Sequence, residues 1–329
     1  MISINTQIVE NAILAFNDEI ENDYKIILRQ LEKDYKSYFK DFSRDEKVFF
    51  RKFLNFTRDN NIIKINNLEL ENIKNVLGEI PKSHFKILKN NKALYLKDLI
   101  NNTLNYRNKR DTFYPKYFQK IGIKSCVYCN SQLTITIEKI IYLKTKVNNE
   151  FIAKFQVDHF YPKDKYPYLS VSLYNLYPTC ASCNNAKKVT EVSFNLYQDN
   201  VLPSKYKFAL DLKSKAKFIT SRDINDIEFK FIDFEKPDEK IVVKGSFEDT
   251  FQINGIYKTQ KDLAEEIILK SQIYNKAYKE KLISSFPDIF NNKNLGNRII
   301  LGNYCEPEEI HKRPMAKFMQ DIAKDIGLI

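Results

Sequence analysis

The sequence predicts an α+β protein, with a small β-containing module between a helical N-terminal region and a mixed, mainly helical C-terminal region. Three observations predict this class: helical periodicity before residue 110, alternating periodicity from Leu133 to Val157, and two CxxC pairs that bracket the alternating segment. We expect the three regions to span residues 1–110, 111–192 and 193–329. A chain of 329 residues, 43% of them hydrophobic, can bury the core of two or three such units.

Apolar residues of the N-terminal region recur every three or four positions, which is typical of amphipathic helices. The clearest run is Ile27, Leu31, Tyr35, Tyr38 and Phe42. The sequence SRDE, from Ser43 to Glu46, then resembles a capping box at the start of the next helix. In the C-terminal region we expect a hairpin that pairs IEFKFIDF with KIVVKGSF, followed by helices over 263–285 and 315–326.

The central module changes from the helical period to the strand period. In LTITIE every second residue is apolar, and in FIAKFQVDHF the same alternation continues to Val157. The two segments therefore predict a β-hairpin around a polar turn near Asn148 and Asn149.

The dipeptide Asp158-His159 follows at the exit of the second predicted strand. After Pro178 the spacing of Asn184 and Lys187 predicts a helix that begins within the second cysteine pair. A carboxylate and a histidine at a strand end, facing a helix that carries an amide, form an arrangement suited to a metal site.

Four of the five cysteines form two pairs of identical spacing, CVYC at Cys126 and Cys129 and CASC at Cys180 and Cys183. Two thiolates on a tight turn converge on a tetrahedral zinc ion, and a second such turn completes its coordination. A redox CxxC motif and unrelated buried cysteines are the alternatives. Because both pairs lie in one basic module, we predict a structural Zn²⁺ site. We expect the zinc to replace core that so small a module cannot build.

Positive charge is concentrated in the central module. Residues 105–190 hold fourteen basic and five acidic residues, a net charge of +9, and the rest of the chain contributes only +2 of the total +11. A local basic field attracts a phosphate backbone, and a solvated basic face is the plain alternative. The sequence shows no signal peptide and no membrane-spanning apolar run, so we expect a cytoplasmic protein. It also shows no P-loop, helix-turn-helix or internal repeat, which argues against an intrinsic motor or sequence reader.

Four segments of the central module carry a family resemblance: CVYCN, VDHFYPK, YNLYPTC and CNNAKK. In order and spacing they resemble the HNH endonucleases, also called ββα-metal or His-Me finger nucleases, in their four-cysteine zinc form. The resemblance covers residues 114–191 and implies a zinc-stabilised ββα module that hydrolyses nucleic-acid phosphodiester bonds, with DNA favoured over RNA. More loosely, the chain resembles nuclease subunits of Septu- and retron-type anti-phage systems. That resemblance implies bacterial defence, with an ATPase or another sensor subunit as partner.

The resemblance also implies a role for each matching residue. His159 matches the general base that takes a proton from the attacking water, and Asn175 matches the residue that orients this histidine. Asp158 and Asn184 match the ligands of a catalytic divalent metal, Mg²⁺ or Mn²⁺. The four paired cysteines match the structural zinc ligands, and Lys187 matches a basic position on the same helix.

Candidate phosphate contacts are Lys163, Lys187 and Lys188, with solvated lysines as the alternative. Three functional classes stay open. The chain is a nuclease effector of a defence system, a stand-alone restriction or mobile-element endonuclease, or a catalytically inactive zinc-stabilised module that binds nucleic acid. The intact set of Asp158, His159 and Asn184 favours an enzyme.

Overall fold

The structure is a computed structural model that describes residues 1–83, 87–89, 92–142, 147–200, 204–234 and 242–329. It is a mixed α+β fold in which the described strands form two-stranded sheets. In agreement with the helical periodicity, the chain before the first cysteine pair is largely helical. Its helices are α1 (Thr6–Ala15), α2 (Asn17–Tyr38), α3 (Arg44–Asp59), α4 (Asn67–Leu77), α5 (Leu96–Leu104), α6 (Tyr106–Thr112) and α7 (Tyr114–Ile121).

The capping box that the sequence predicts is present at the start of α3. The Ser43 hydroxyl accepts a hydrogen bond from the Glu46 backbone N–H at 3.3 Å, and the Glu46 carboxylate accepts one from the Ser43 N–H at 2.8 Å. These bonds satisfy two N–H groups that the first turn leaves without helical partners. The cap fixes the start of the helix whose Phe50 and Phe53 lie fully buried in the core.

The strands are β1 (Ile4–Asn5), β2 (Ile87–Lys89), β3 (Lys92–Leu94), β4 (Ile135–Tyr142), β5 (Val147–Lys154), β6 (Gln156–His159), β7 (Leu176–Thr179), β8 (Tyr197–Gln198), β9 (Tyr206–Leu210) and β10 (Phe229–Asp233). β1 runs parallel to β8, whereas the pairs β2–β3, β4–β5, β6–β7 and β9–β10 are antiparallel. A short helix, α8 (Ala181–Lys187), follows β7 directly. The order β6, β7, α8 places two strands and a helix around the second cysteine pair.

The predicted central hairpin is present, but Asp158 and His159 do not belong to it. β4 and β5 pair over their whole length, and Asn148 and Asn149 lie in β5 rather than in a turn. The chain then bends at Phe155, and β6 pairs with β7 instead. Because apolar alternation continues through the bend, the sequence alone merges β5 and β6 into one strand.

The prediction for the C-terminal hairpin pairs β10 with the wrong segment. β10 pairs with β9, residues 242–246 form no strand, and Phe247 begins the next helix. The predicted turn and the first two residues of the predicted partner, at 235–241, lie outside the described residues. Phe208 of β9 and Phe229 of β10 both contact Phe318, at ring-centroid distances of 5.2 and 4.9 Å, so this pairing buries aromatic side chains of both strands against one helix.

The remaining helices include the two that the sequence predicts near 263–285 and 315–326. They are α9 (Leu212–Ser221), α10 (Phe247–Phe251), α11 (Ile253–Lys258), α12 (Lys261–Ile273), α13 (Lys276–Ser285), α14 (Pro287–Phe290), α15 (Lys293–Leu301) and α16 (Ala316–Asp325). No helix in the described part of the chain has both the length and the hydrophobicity that a membrane crossing requires.

One continuous hydrophobic core contains residues from all three predicted regions. The N-terminal β1 pairs with β8, which lies beyond the central module. Tyr257 of α11 and Phe318 of α16 pack together at 5.0 Å, and the Tyr257 hydroxyl reaches the first cysteine pair. The boundaries at residues 110 and 192 stay a prediction, but the module between them is enclosed by both flanks.

Candidate metal centre and active-site cavity

The four paired cysteines converge in the structure. Their sulfur atoms all lie within 4.8 Å of one another, and all four residues are buried. Sγ of Cys129 lies 3.9 Å from Sγ of Cys180. A tetrahedral zinc with Zn–S bonds of about 2.3 Å separates its sulfurs by about 3.8 Å. The donor set and its spacing therefore fit a structural metal such as zinc.

The turn of the first pair presents its sulfurs inward. Asn130 adopts a left-handed backbone with φ of 53°, and its N–H donates to the Cys126 carbonyl at 2.8 Å. Ser131 donates to the Cys129 sulfur from its N–H at 3.4 Å and its hydroxyl at 3.1 Å. Contacts with Cys126 and the second pair, together with this hydroxyl, lower the pKa of Cys129, whereas burial raises the pKa of Cys126. The two hydrogen bonds from Ser131 stabilise the thiolate form of Cys129, which is the form that binds a metal.

C-terminal elements cover the first pair. The Tyr257 hydroxyl donates to the Cys129 carbonyl at 2.8 Å. The backbone N–H groups of Met315 and Lys317 donate to the backbone and side-chain oxygens of Asn130, at 2.6 and 2.9 Å. The cysteine cluster thus lies inside the core that all three regions share. A bound metal would therefore add to this core, whereas we expected it to replace a missing one.

Tyr128, between the two cysteines of CVYC, connects the metal centre to the proposed catalytic carboxylate. Its ring is fully buried and stacks on Phe251 at 4.4 Å. Its hydroxyl donates to Asp158 Oδ2 at 2.6 Å. A short hydrogen bond to a buried carboxylate fixes the orientation of that carboxylate.

Lys187 is the second partner of Asp158, and its placement corrects a prediction. The side chain is 0% exposed, with Nζ 3.1 Å from Asp158 Oδ2 and 2.7 Å from the His159 carbonyl oxygen. A lysine enclosed in this way does not contact phosphate. Lys187 is the last residue of α8, and the buried Asp158 carboxylate pairs with its ammonium inside the protein. Burial raises the pKa of Asp158, and Lys187 opposes that shift.

His159 ends β6 and is held by one backbone oxygen. Its Nε2 lies 3.1 Å from the Ser170 carbonyl, which can only accept, so Nε2 carries the proton and Nδ1 is the basic nitrogen. The ring also packs on Tyr106 at 4.7 Å. Burial lowers the pKa of His159 to about 3, so the imidazole is neutral at physiological pH.

Asn175 supports the loop that leaves His159. Its side-chain oxygen accepts from the Tyr161 N–H at 2.7 Å, and its amide donates to the carbonyls of Tyr161 and Leu169 at 3.2 and 3.0 Å. Because Leu169 directly precedes the carbonyl that holds His159, Asn175 acts on the histidine through this loop.

A cavity of about 430 Å³ brings the predicted site residues together. Its lining includes Asp158, His159, Lys163, Asn184 and Lys188. The Asn184 amide donates to the Gln156 side chain at 2.6 Å, and its oxygen accepts no hydrogen bond from the described residues. Lys163 and Lys188 are both exposed, and the Lys163 ammonium lies 5.0 Å from the Tyr106 ring centre.

Several lysines of the basic segment are already paired with acids of the N-terminal region. The pairs are Lys109 with Asp23, Lys116 with Glu19, and Lys165 with Glu79. These cations are partly neutralised within the fold, so the count of fourteen basic residues overstates the field available to nucleic acid. Lys163 and Lys188 stand at the cavity without an acidic partner among the described residues.

Sequence reasoning missed two aromatic residues of the site. Tyr128 was visible as an unassigned residue inside CVYC, and a polar aromatic within a metal turn is a signal for a second contact. Tyr106 lies 53 positions before His159, and no local pattern links the two.

Comparisons of the chain with protein-family models, with curated proteins and with solved structures find no match.

Proposed function

We propose that the protein is a metal-dependent endonuclease of the HNH type that hydrolyses phosphodiester bonds, with DNA as the substrate. One observation carries the proposal: a neutral histidine at a strand end shares a cavity with a carboxylate and an amide oxygen, and cations line the same cavity. The β6, β7, α8 arrangement beside four clustered cysteines supports it.

His159 acts as the general base. Its Nε2 is engaged with Ser170, so Nδ1 is the atom that takes the proton from the attacking water. A neutral imidazole is the form that can accept this proton. Asn175 keeps the ring in place through the 161–169 loop, and Tyr106 limits its rotation.

Asp158 and Asn184 would hold a divalent cation. Both line the cavity, and carboxylate and amide oxygens are the hard ligands that Mg²⁺ and Mn²⁺ prefer. When bound, such an ion supplies Lewis acidity toward the phosphate and the leaving oxygen. Tyr128 and Lys187 orient Asp158 from its buried side, and Lys163 and Lys188 attract the phosphate from the open side.

The test is cleavage of plasmid, single-stranded DNA and RNA, with Mg²⁺ or with chelator, by the wild type and by His159→Ala. Removing a general base costs about 10²–10⁴-fold in rate, and binding should persist because the neutral imidazole contributes little to attraction of phosphate. Cleavage by the variant at the wild-type rate would remove His159 from the mechanism. A wild type that binds nucleic acid but never cuts, with sensor candidates added, would favour the inactive module.

A metal titration tests Asn184. Asn184→Ala should lose Mg²⁺-dependent cleavage while it retains zinc, and Asn184→His should shift the metal preference toward nickel or cobalt, because imidazole is a softer ligand. Asn185→Ala is the matched control, since it removes a neighbouring amide and should keep the Mg²⁺ requirement. Normal Mg²⁺-dependent cleavage by Asn184→Ala would exclude Asn184 as a ligand. The defence role, the sensor subunit and the cytoplasmic location stay predictions.

A further inference from the structure

A second cavity, of about 520 Å³, adjoins the one that holds His159. The two share Val157, Lys163 and Asn184, so they form one continuous recess. One wall of the second cavity is α6, and the other is the run of β5 and β6 from residue 150 to residue 157. An occupant of the second cavity would therefore lie directly beside the cavity that holds His159.

The second cavity differs from the first in its chemistry. Its charged residues are balanced, with Arg110 and Lys163 against Asp111 and Glu150. Arg110 also pairs with Asp111 at 3.1 Å. Because these charges cancel, the wall offers both hydrogen-bond donors and hydrogen-bond acceptors but carries no net charge.

Aromatic side chains supply the apolar part of this wall: Tyr106, Phe151 and Phe155. Phe151 is half-buried on the two-stranded β4–β5 ribbon, and no aromatic ring of the described residues packs against it. Phe155 packs edge-on against Phe118 at 5.5 Å and is held more firmly. Phe151 thus lines the cavity without an aromatic partner among the described residues, which makes it the candidate ring for stacking on a ligand.

The first cavity, by contrast, suits a phosphate. Its two acids are each paired with a lysine, Asp158 with Lys187 and Asp164 with Lys97. A phosphate-binding recess thus lies next to a neutral one with aromatic walls and polar edges. A nucleotide has these two halves: a charged phosphate, and a flat base with donors and acceptors around its edge.

Resting on the proposed function, we propose that the second cavity binds one unstacked nucleobase beside the scissile phosphate, with Phe151 as its stacking platform. In a duplex the bases are paired and stacked, so they reach such a recess only from a single strand or after extrusion. His159 and Asp158 are only 6% and 4% exposed, which favours a strand that can enter the recess. The preferred substrate is therefore single-stranded or locally unpaired at the cut.

The experiment measures binding in EDTA, where nothing is cut, of fluorescent single-stranded DNA, single-stranded RNA and duplex DNA. The single strands carry one abasic position that is moved along the oligonucleotide. In the wild type we expect one position at which loss of the base weakens binding about tenfold, in the range of base stacking on an aromatic residue. The DNA and RNA arms show which sugar the site accepts.

Phe151→Ala should weaken binding of the intact strand about tenfold and abolish the penalty of the abasic position. Phe151→Trp should restore both. Tyr142→Ala is the matched control, because this aromatic residue is 79% exposed on the same ribbon and lines neither cavity. A merely structural role for Phe151 would weaken binding equally at every abasic position.

A flat abasic scan, or duplex bound as tightly as single strands, would overturn the base site. If duplex is also cut as fast as single strands, the nuclease proposal stands and only the base site fails. If the scan succeeds but no substrate is ever cut, the base site stands and the nuclease proposal fails.

Discussion

The four-cysteine cluster and the cavity around His159 lie side by side but differ in how far they are closed to solvent. Each cysteine of the cluster is at most 5% exposed, and the first cysteine turn is covered by α11 and by the chain around α16. The cavity keeps polar groups open to solvent, including the Asn184 oxygen and the Lys188 ammonium. A closed set of soft ligands suits a structural metal, and in the proposed function the open cavity oxygens would suit a hard ion that exchanges ligands during turnover.

The two regions are also joined. Tyr128, in the first cysteine turn, donates a hydrogen bond to Asp158. Cys180 caps α8, and this helix carries Asn184 to the cavity. We therefore expect substitutions in the cysteine cluster to disturb the cavity, whereas substitutions on the open side of the cavity should leave the cluster unchanged. Four experiments test this expectation, in order of decreasing effect.

Cys126→Ser or Cys180→Ser should have the largest effect. Each removes one of four thiolates, and the metal bound by such a site contributes to folding free energy. We expect loss of about one equivalent of zinc and of cooperative unfolding, measured by metal analysis and circular dichroism. Cys305→Ser is the control, because Cys305 is buried outside the cluster and should retain the metal. Folded wild-type protein without zinc would contradict the four-thiolate site.

Lys187→Met should cost about 3–5 kcal/mol of unfolding free energy, because it leaves the buried Asp158 carboxylate without its ion-pair partner. Lys188→Met, one residue later on an exposed side chain, should cost less than about 0.5 kcal/mol and instead weaken nucleic-acid binding in a salt-dependent way. Urea unfolding and binding titrations separate the two. Equal stability of both variants would show that Lys187 is not structural.

Tyr128→Phe should cost about 1–3 kcal/mol, because it deletes one hydrogen bond to a buried charged group. Zinc should stay bound, and Mg²⁺-dependent cleavage should require more Mg²⁺, because Asp158 is less well oriented. Tyr177→Phe is the control: its hydroxyl is buried nearby but contacts Asn195 and Leu196. A Mg²⁺ requirement that shifts equally in both variants would remove the special role of Tyr128.

Mild acid should have the smallest effect of the four when it is counted for one histidine and one pH unit. Burial lowers the pKa of both His159 and His311 to about 3, against about 6.5 in an unfolded chain. Above pH 6.5 both states are neutral at these residues. Below pH 6.5 these histidines are protonated in the unfolded state but stay neutral in the folded state. The unfolding free energy therefore falls by up to about 1.4 kcal/mol per pH unit per histidine.

Urea unfolding between pH 7 and pH 5 measures this slope. His311→Asn should remove about half of it without a change in cleavage, since His311 contacts Ile2 and lies outside the cavity. An unchanged slope in this variant would mean that His311 does not stay neutral in the folded state.

The sequence predicts the metal centre better than the cavity for a physical reason. A CxxC turn is a local motif, so two such motifs identify all four candidate ligand cysteines without any knowledge of the tertiary structure. The burial of Lys187 depends on Asp158, which lies 29 positions earlier, and the helical position alone reads as a solvated lysine. Likewise, the bend at Phe155 preserves apolar alternation, so nothing local separates β5 from β6.

The partner of β10 shows the same limit. The strand was expected from its own alternation, but its neighbour β9 lies on the far side of a helix, at a separation that periodicity does not encode. Local patterns predict that elements exist, and their packing against Phe318 decides which of them pair.

The separation of the two cysteine pairs along the chain has a consequence for the route to the folded state. Cys129 and Cys180 are 51 positions apart, and the segment between them contains the β4–β5 ribbon and His159. A metal ion held at both pairs closes this segment into a ring, and a cross-link of that span removes about 4 kcal/mol of chain entropy from the unfolded ensemble. If the ion is captured early, His159 lies inside a closed loop whose end, Cys183, is next to Asn184, so the two residues have less conformational space to search. The metal then acts as a folding template before it acts as a structural support.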